Sequence, residues 1–191
     1  MRTAPATGAG VSLDRQSVLV VVVLSGRRGM RVMDRFVANY MLRLDSKGRV
    51  SIPASFRSVL ARGGFAGLYC YPALALPAID AGGNALMAEI EGLIGRHASF
   101  SQEREQLALA LYGTSEILKL DGEGRVVLSD SLKRHAGIAS EVAFVGLGHK
   151  FQIWEPGRFQ TELAEATGKV RALKAEPGSR TAARNAPGAR E

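Results

Sequence analysis

A nine-residue stretch occurs twice in this chain, and the repeat constrains the fold more than any other feature of the sequence. Leu44-Asp45-Ser46-Lys47-Gly48-Arg49-Val50-Ser51-Ile52 aligns without gaps to Leu120-Asp121-Gly122-Glu123-Gly124-Arg125-Val126-Val127-Leu128, seventy-six residues later. The match continues through Ser55 with Ser131, Phe56 with Leu132 and Arg57 with Lys133, and both copies then reach glycine, at Gly63 and Gly137. Residues 44–61 and 120–137 are therefore two copies of one structural unit, and an internal repeat fixes the architecture before any single element is assigned.

Each copy predicts strand, tight turn, strand and short helix. Leu42 and Leu44, like Leu118 and Leu120, are spaced by two, as a half-buried strand requires. A polar D-x-x-G turn separates them from Val50 and Ile52, or Val126 and Leu128. In the first copy Pro53 suits the first helical position, Phe56, Val59 and Leu60 share a face, and Gly63 can serve as the left-handed stop. In the second, Ser129 is the expected N-cap. Strand pairs follow, Leu68 to Tyr71 with Leu74 to Leu76, then Val142 to Val145 with Phe151 to Trp154. Each half reads β-β-α-β-β, a mixed α+β, β-rich class.

Between the halves, Asn84 is placed to cap a helix with Leu86, Met87, Ile90, Leu93 and Ile94 on a core-facing stripe. A second helix is expected from a Ser99 or Ser101 cap to Gly113, with Ser99 and Gln102 as a capping box. A last helix is expected over 157–167, on Phe159 and Leu163. The resulting division is 33–81 for the first half, 82–115 for connecting helices, 116–166 for the second half with its terminal helix, and 167–191 for a disordered tail rich in Gly, Pro, Ala and Arg. Residues 1–32 are expected to lie outside the fold as an extension from an upstream start, with Met30 and Met33 as alternative starts; an N-terminal mass beginning at Met1 would remove that reading.

The formal charge of +7 is unevenly distributed. Residues 1–33 carry five basic and one acidic side chain, residues 155–191 seven and five, and the middle, 34–154, thirteen and twelve. A high global charge is therefore a weak argument for nucleic acid. Residues 43–62 are different, because Arg43, Lys47, Arg49, Arg57 and Arg62 face only Asp45. The basic tails can add salt-sensitive, non-specific affinity, which a comparison of salt slopes between the full chain and residues 33–165 would test.

Other function classes lack their residues. The single Cys70 forms neither an internal disulfide nor a zinc pair and fits a reducing cytoplasm. His97, His135 and His149 are scattered without metal-ligand spacing, so no metal and no cofactor is expected. The apolar run Val18–Leu24 is seven residues, against about 20 for a bilayer span, so no membrane role is expected. It is followed by Ser25-Gly26-Arg27-Arg28, which is neither a cleavage site nor the right polarity for a secretory signal. No G-x-S-x-G, P-loop or G-x-G-x-x-G sequence is present.

Asp45, Gly48, Asp121 and Gly124 have a structural explanation as turn residues: Asp accepts backbone N–H groups and Gly takes a positive φ. Lys47 and Arg49 need no such position for folding, and put two cations at a hairpin tip. From spacing alone they are either a solvated charged turn or a contact surface for an anion.

Met33-Asp34-Arg35-Phe36, Arg43-Leu44-Asp45-Ser46-Lys47-Gly48-Arg49-Val50-Ser51-Ile52-Pro53, Leu120-Asp121-Gly122-Glu123-Gly124-Arg125 and the closing Phe151-Gln152-Ile153-Trp154 together resemble the MraZ family of bacterial transcriptional regulators. The resemblance spans about residues 33–165 and rests on two D-x-x-G-R motifs at that family's separation. It implies an AbrB-type swapped-hairpin barrel made from the two halves, assembly of the chain into a homo-oligomeric ring, and binding to short direct repeats in double-stranded promoter DNA of division and cell-wall genes. It implies a repressor, cytoplasmic and nucleoid-associated, and not an enzyme. By matching positions it assigns DNA contact to Lys47, Arg49 and Arg125; Arg43, in the same basic patch, is a further candidate for DNA contact. One position departs from the pattern. Where the first copy has Lys47 the second has Glu123, whose charge opposes a phosphate. The first turn is accordingly expected to carry most of the contact, with Arg49 on a guanine edge and Lys47 on a phosphate.

Three rival readings stand beside this one. An AbrB-like antitoxin would bind DNA and a partner protein, but such chains carry one copy and dimerise. A structural ring protein without DNA binding is suggested only by Glu123. A paired-carboxylate enzyme site would join Asp45 and Asp121, but a lysine beside the pair favours ionisation over a shared proton.

Overall fold

A computed structural model describes residues 35–175. The Val18–Leu24 run, the alternative starts, Met33-Asp34 of the opening motif and the tail after residue 175 lie outside the described residues. The first half is β1 (Asn39–Arg43), β2 (Arg49–Ser51), α1 (Ala54–Arg62), β3 (Leu68–Pro72) and β4 (Ala78–Gly82). Helices α2 (Asn84–Gly95) and α3 (Gln102–Leu111) follow. The second half is β5 (Glu116–Leu118), β6 (Arg125–Val127), α4 (Asp130–Ala136), β7 (Glu141–Gly146) and β8 (Phe151–Trp154), closed by α5 (Pro156–Ala175). The expected β-β-α-β-β order holds in both halves.

The strands on either side of each turn do not pair with each other. Strand β1 runs antiparallel to β7, from Asn39 opposite Val145 to Arg43 opposite Glu141, whereas β5 pairs with β3, Leu68 opposite Leu118. Each half thus lends its first strand to the other. The six-stranded order β1-β7-β8-β4-β3-β5 reads the same from both ends once the halves are exchanged. The β4/β8 ladder, Ala78 opposite Trp154, lies at its centre. Strands β2 and β6 form a separate two-stranded antiparallel ribbon. The expected barrel does not close among the described residues: β1 and β5 are edges of an open antiparallel sheet, because each D-x-x-G turn redirects the chain and leaves β2 and β6 only each other as partners.

One core serves both halves. Val50, Ile52, Phe56 and Leu60 are buried with their repeat counterparts Val126, Leu128, Leu132 and Ala136. Phe56 is one of two aromatic hubs with Phe151, and meets Phe36, Tyr40 and Phe151 at ring-centroid distances of 5.3, 5.5 and 4.9 Å. Such pairs add about 0.5–1.5 kcal/mol each beyond area burial. A smaller cluster under α2 and α3 gathers Tyr69, Tyr71, Leu86, Ile90, Ile94 and Leu111.

Several local expectations shift. Pro53 is the N-cap of α1 and precedes the first helical residue. Gly63 is right-handed at φ −71°, and the left-handed stop is Gly64 at φ +69°, with Phe65 N–H bonded to Leu60 O, because α1 runs further than its repeat counterpart before it ends. In the second copy Ser129 caps α4 by accepting from Leu132 N, as expected, and the helix ends on Gly137, left-handed at φ +71°. Asn84 does not cap α2: Gly83 does, and the Asn84 amide donates to Gly63 O at 2.7 Å instead. Ser101, not Ser99, caps α3, accepting from Arg104 N. Leu74–Leu76 is a loop; the strand pairing with β3 begins at Ala78, after a chain reversal held by Ala78 N–H to Leu76 O. Helix α5 continues through Ala175, beyond the expected end at 167, as nothing but Gly168 interrupts its helix-forming residues.

Candidate nucleic-acid interface

The two turns are built the same way. Asp45 accepts from the backbone N–H groups of Lys47 and Arg49 on Oδ1, at 2.8 and 3.0 Å, and from Arg49 Nε on Oδ2 at 2.7 Å. Asp121 accepts from Glu123 and Arg125 N–H groups, both at 2.9 Å, and from Arg125 Nε at 2.8 Å. Gly48 and Gly124 take the left-handed backbone, at φ +72° and +75°, that closes each turn. Hydrogen bonding to the Arg49 side chain, then to its N–H, lowers the Asp45 pKa to about 2. The same groups of Arg125, the N–H first, lower Asp121 to about 2. Both shifts favour the ionised carboxylate, the opposite of the raised pKa that a proton-sharing carboxylate pair requires.

The ribbon joins the turns. Arg49, Val50 and Ser51 lie opposite Val127, Val126 and Arg125. Ile52 N–H bonds Gly124 O at 3.0 Å and Leu128 N–H bonds Gly48 O at 3.4 Å, so each turn is braced by the strand end of the other copy. Val50 and Val126 are buried at 1% exposure. Arg49 and Arg125, two positions from alignment on the same ribbon face, therefore belong to one outward surface.

On that surface the copies differ. Arg49 is held by one carboxylate, Asp45, at 2.6 Å from Nη2. Arg125 is held by two, Asp121 and Glu123, the latter at 2.6 Å from Nη1. Lys47 is exposed, and its ammonium has no ion-pair partner among the described residues. Exposed pairs contribute little to stability, but they fix where a guanidinium points. Arg43 sits apart from the ribbon on edge strand β1, 82% exposed, and is bound to Glu141 across the ladder at 2.6 Å.

Two further cations meet the turns, and aligning the repeats does not reveal this. Arg57, on α1 of the first half, lies against the second turn: a Cβ on Gly124 would fall 2.5 Å from its Cδ. Its Nη1 donates to Ile52 O at 3.0 Å. Lys133, its repeat counterpart on α4, lies near the first turn, 3.6 Å from where a Gly48 Cβ would be, and pairs with Asp130 at 2.8 Å. Their equivalence is legible in sequence; their crossing to the opposite turn depends on strand exchange.

Elsewhere, Cys70 is buried in β3, and burial pushes its thiol up to about 12. Among the described residues no group of three or more His, Cys, Asp or Glu side chains is gathered as a metal would require. No helix among them is long and apolar enough to cross a membrane.

A family model described as "MraZ protein, putative antitoxin-like" matches residues 111–176, which include the second turn and α5. A protein of Xanthobacter autotrophicus named transcriptional regulator MraZ is 64% identical over 148 residues, covering 78% of this chain and 94% of its own length. One of Azorhizobium caulinodans with the same name is 63% identical over 147 residues, covering 77% and 94%. A third, of Methylocella silvestris, is 54% identical over 164 residues and is covered over 100% of its length by 83% of this chain. With the duplicated turn, the shared core and near full-length identity at this level, the chain belongs to the MraZ family.

Proposed function

We propose that this chain is a sequence-specific DNA-binding transcriptional regulator that represses division and cell-wall genes, and that its ribbon is the DNA-contacting surface. The observation that carries the reading is the paired turn: Arg49, pre-oriented by Asp45, next to the exposed Lys47, which has no ion-pair partner among the described residues, with the second turn on the same face. A guanidinium held in plane suits the O6 and N7 acceptors of guanine, while a mobile ammonium suits a phosphate. The names of the relatives support the regulatory role. The exchange of first strands between halves supports an AbrB-type swapped-hairpin arrangement, completed within one chain.

Two turns make a small contact set, since single DNA-binding modules already bury about 600–1,000 Å². Several copies of the chain act together, as a ring that presents its first turns at regular intervals to short direct repeats in promoter DNA, in the cytoplasm and on the nucleoid. Avidity then depends on spacing. A gel shift with the duplex upstream of the chain's own coding sequence tests both parts. Arg49→Ala should weaken specific retention by about 1–3 kcal/mol, and moving the repeats apart by half a helical turn should weaken binding steeply. Undiminished retention by Arg49→Ala would sink the assignment of the surface; indifference to spacing would sink the ring.

A further inference from the structure

The outer face of the β2/β6 ribbon carries Arg49, Ser51, Arg125 and Val127, because the intervening Val50 and Val126 are buried. Three of the four are polar. Val127 is 53% exposed, and its repeat counterpart, Ser51, shows that the fold does not require an apolar residue there. A single exposed valine is ordinary in itself. Its register is what gives it meaning.

Val127 lies directly opposite Arg49. The bonds Leu128 N–H to Gly48 O on one side and Ile52 N–H to Gly124 O on the other mark hydrogen-bonded positions of the ladder. Alternation then makes Arg49/Val127 a non-hydrogen-bonded pair, the kind with Cα atoms about 4.5 Å apart and side chains in closest approach. Bases stack about 3.4 Å apart along a strand. The valine methyls therefore lie within one or two base steps of any base edge that Arg49 reaches. In the major groove thymine is the base that presents a methyl group.

We infer that Val127 is a specificity residue: it packs on the 5-methyl of a thymine next to the guanine contacted by Arg49. The inference rests on the DNA-binding reading above. It makes the first turn's readout a joint product of both halves, with the arginine supplied by β2 and the methyl contact by β6. At the other end of the ribbon, Ser51 lies opposite Arg125, so that end offers a hydroxyl and no methyl preference.

The full-length protein is used to select a duplex from a randomised pool, and each thymine of the selected box is replaced in turn by deoxyuridine, which deletes only the methyl group. The relevant guanine is the one whose replacement is silent in Arg49→Ala. Within two steps of it, one thymine should cost the unmodified protein about fourfold in affinity when demethylated, the value of burying one methyl group. Val127→Ala should lose about the same on the thymine duplex and nothing more on the deoxyuridine duplex, while Val127→Thr, which retains one methyl and the strand preference, should keep part of the discrimination. Undiminished sensitivity in Val127→Ala, or a box with no methyl-sensitive thymine near that guanine, overturns the inference and leaves DNA binding standing. A pool that yields no preferred duplex overturns DNA binding and the inference together.

Discussion

The first and second turns share backbone, aspartate, glycine and arginine, yet they present opposite charge. Asp45, Lys47 and Arg49 sum to +1, whereas Asp121, Glu123 and Arg125 sum to −1. In the first turn one carboxylate orients one guanidinium, and the exposed Lys47 ammonium beside it has no ion-pair partner among the described residues. In the second, Glu123 and Asp121 hold Arg125 between them, and these carboxylates raise the arginine's pKa further. The same loop can therefore be a contact surface in one copy and chiefly a brace in the other. The difference at the third turn position, Lys47 against Glu123, reverses the charge without altering the hydrogen bonds that close the turn.

The largest expected difference is in DNA affinity. Arg49→Ala should cost about 1–3 kcal/mol in specific binding, the value of a bidentate base contact, and Arg125→Ala clearly less, since it already serves two carboxylates. Equilibrium titration of both variants against one promoter duplex checks this, and equal losses would erase the asymmetry.

Stability should show the reverse ranking. Alanine at Gly48 or Gly124 meets the left-handed penalty of about 1–2 kcal/mol. At Gly124 the new Cβ would also collide with Arg57, at 2.5 Å from Cδ, and disturb its bond to Ile52 O, whereas at Gly48 the nearest atom, Lys133 Nζ, is 3.6 Å away. Gly124→Ala should therefore be about 1 kcal/mol more destabilising than Gly48→Ala, in line with the worth of one hydrogen bond, by chemical denaturation. A milder effect at Gly124 would mean that Arg57 moves aside freely.

Converting the second turn toward the first is a gentler test. Glu123→Lys removes one partner of Arg125 and adds a cation at the position of Lys47. If the second turn lies within reach of the backbone, binding should tighten and the slope of log K against log salt should steepen by about 0.9, for one more phosphate neutralised. An unchanged slope would place the second turn away from DNA.

The smallest effect concerns pH. Both aspartates are lowered from 3.8 to about 2 on folding, so the stabilisation they contribute is fully present above pH 3.8 and is lost as pH falls toward and through 2. Thermal melts between pH 5 and 2 should show the Asp45→Asn and Asp121→Asn variants converging on the unmodified protein at the acid end. A difference that persists undiminished at pH 2 would assign the aspartates a role independent of charge.

Much of this was legible in the residues. The β-β-α-β-β order followed from alternation and turn chemistry, the cap of α4 from Ser129, and the reversed charge of the second turn from Glu123. Errors fell where neighbours decide. Gly63 and Gly64 are adjacent glycines, and only the length of α1 selects which one turns left-handed. Asn84 is a good capping residue whose amide is claimed by Gly63 O from another segment. Leu74–Leu76 is apolar enough for a strand but lies in the reversal between β3 and β4.

By itself, the sequence determined that there are two copies, which atoms close each turn, and which copy carries the excess of positive charge, because those properties come from contacts within five consecutive residues. Tertiary structure alone decided that the strands flanking a turn part company, that Arg57 and Lys133 cross to the opposite turn, and that Val127 stands opposite Arg49. The reason is physical: a strand's alternation specifies a face to bury but not the partner against which it is buried. The two turns are defined locally as equals; strand exchange makes them two ends of one ribbon.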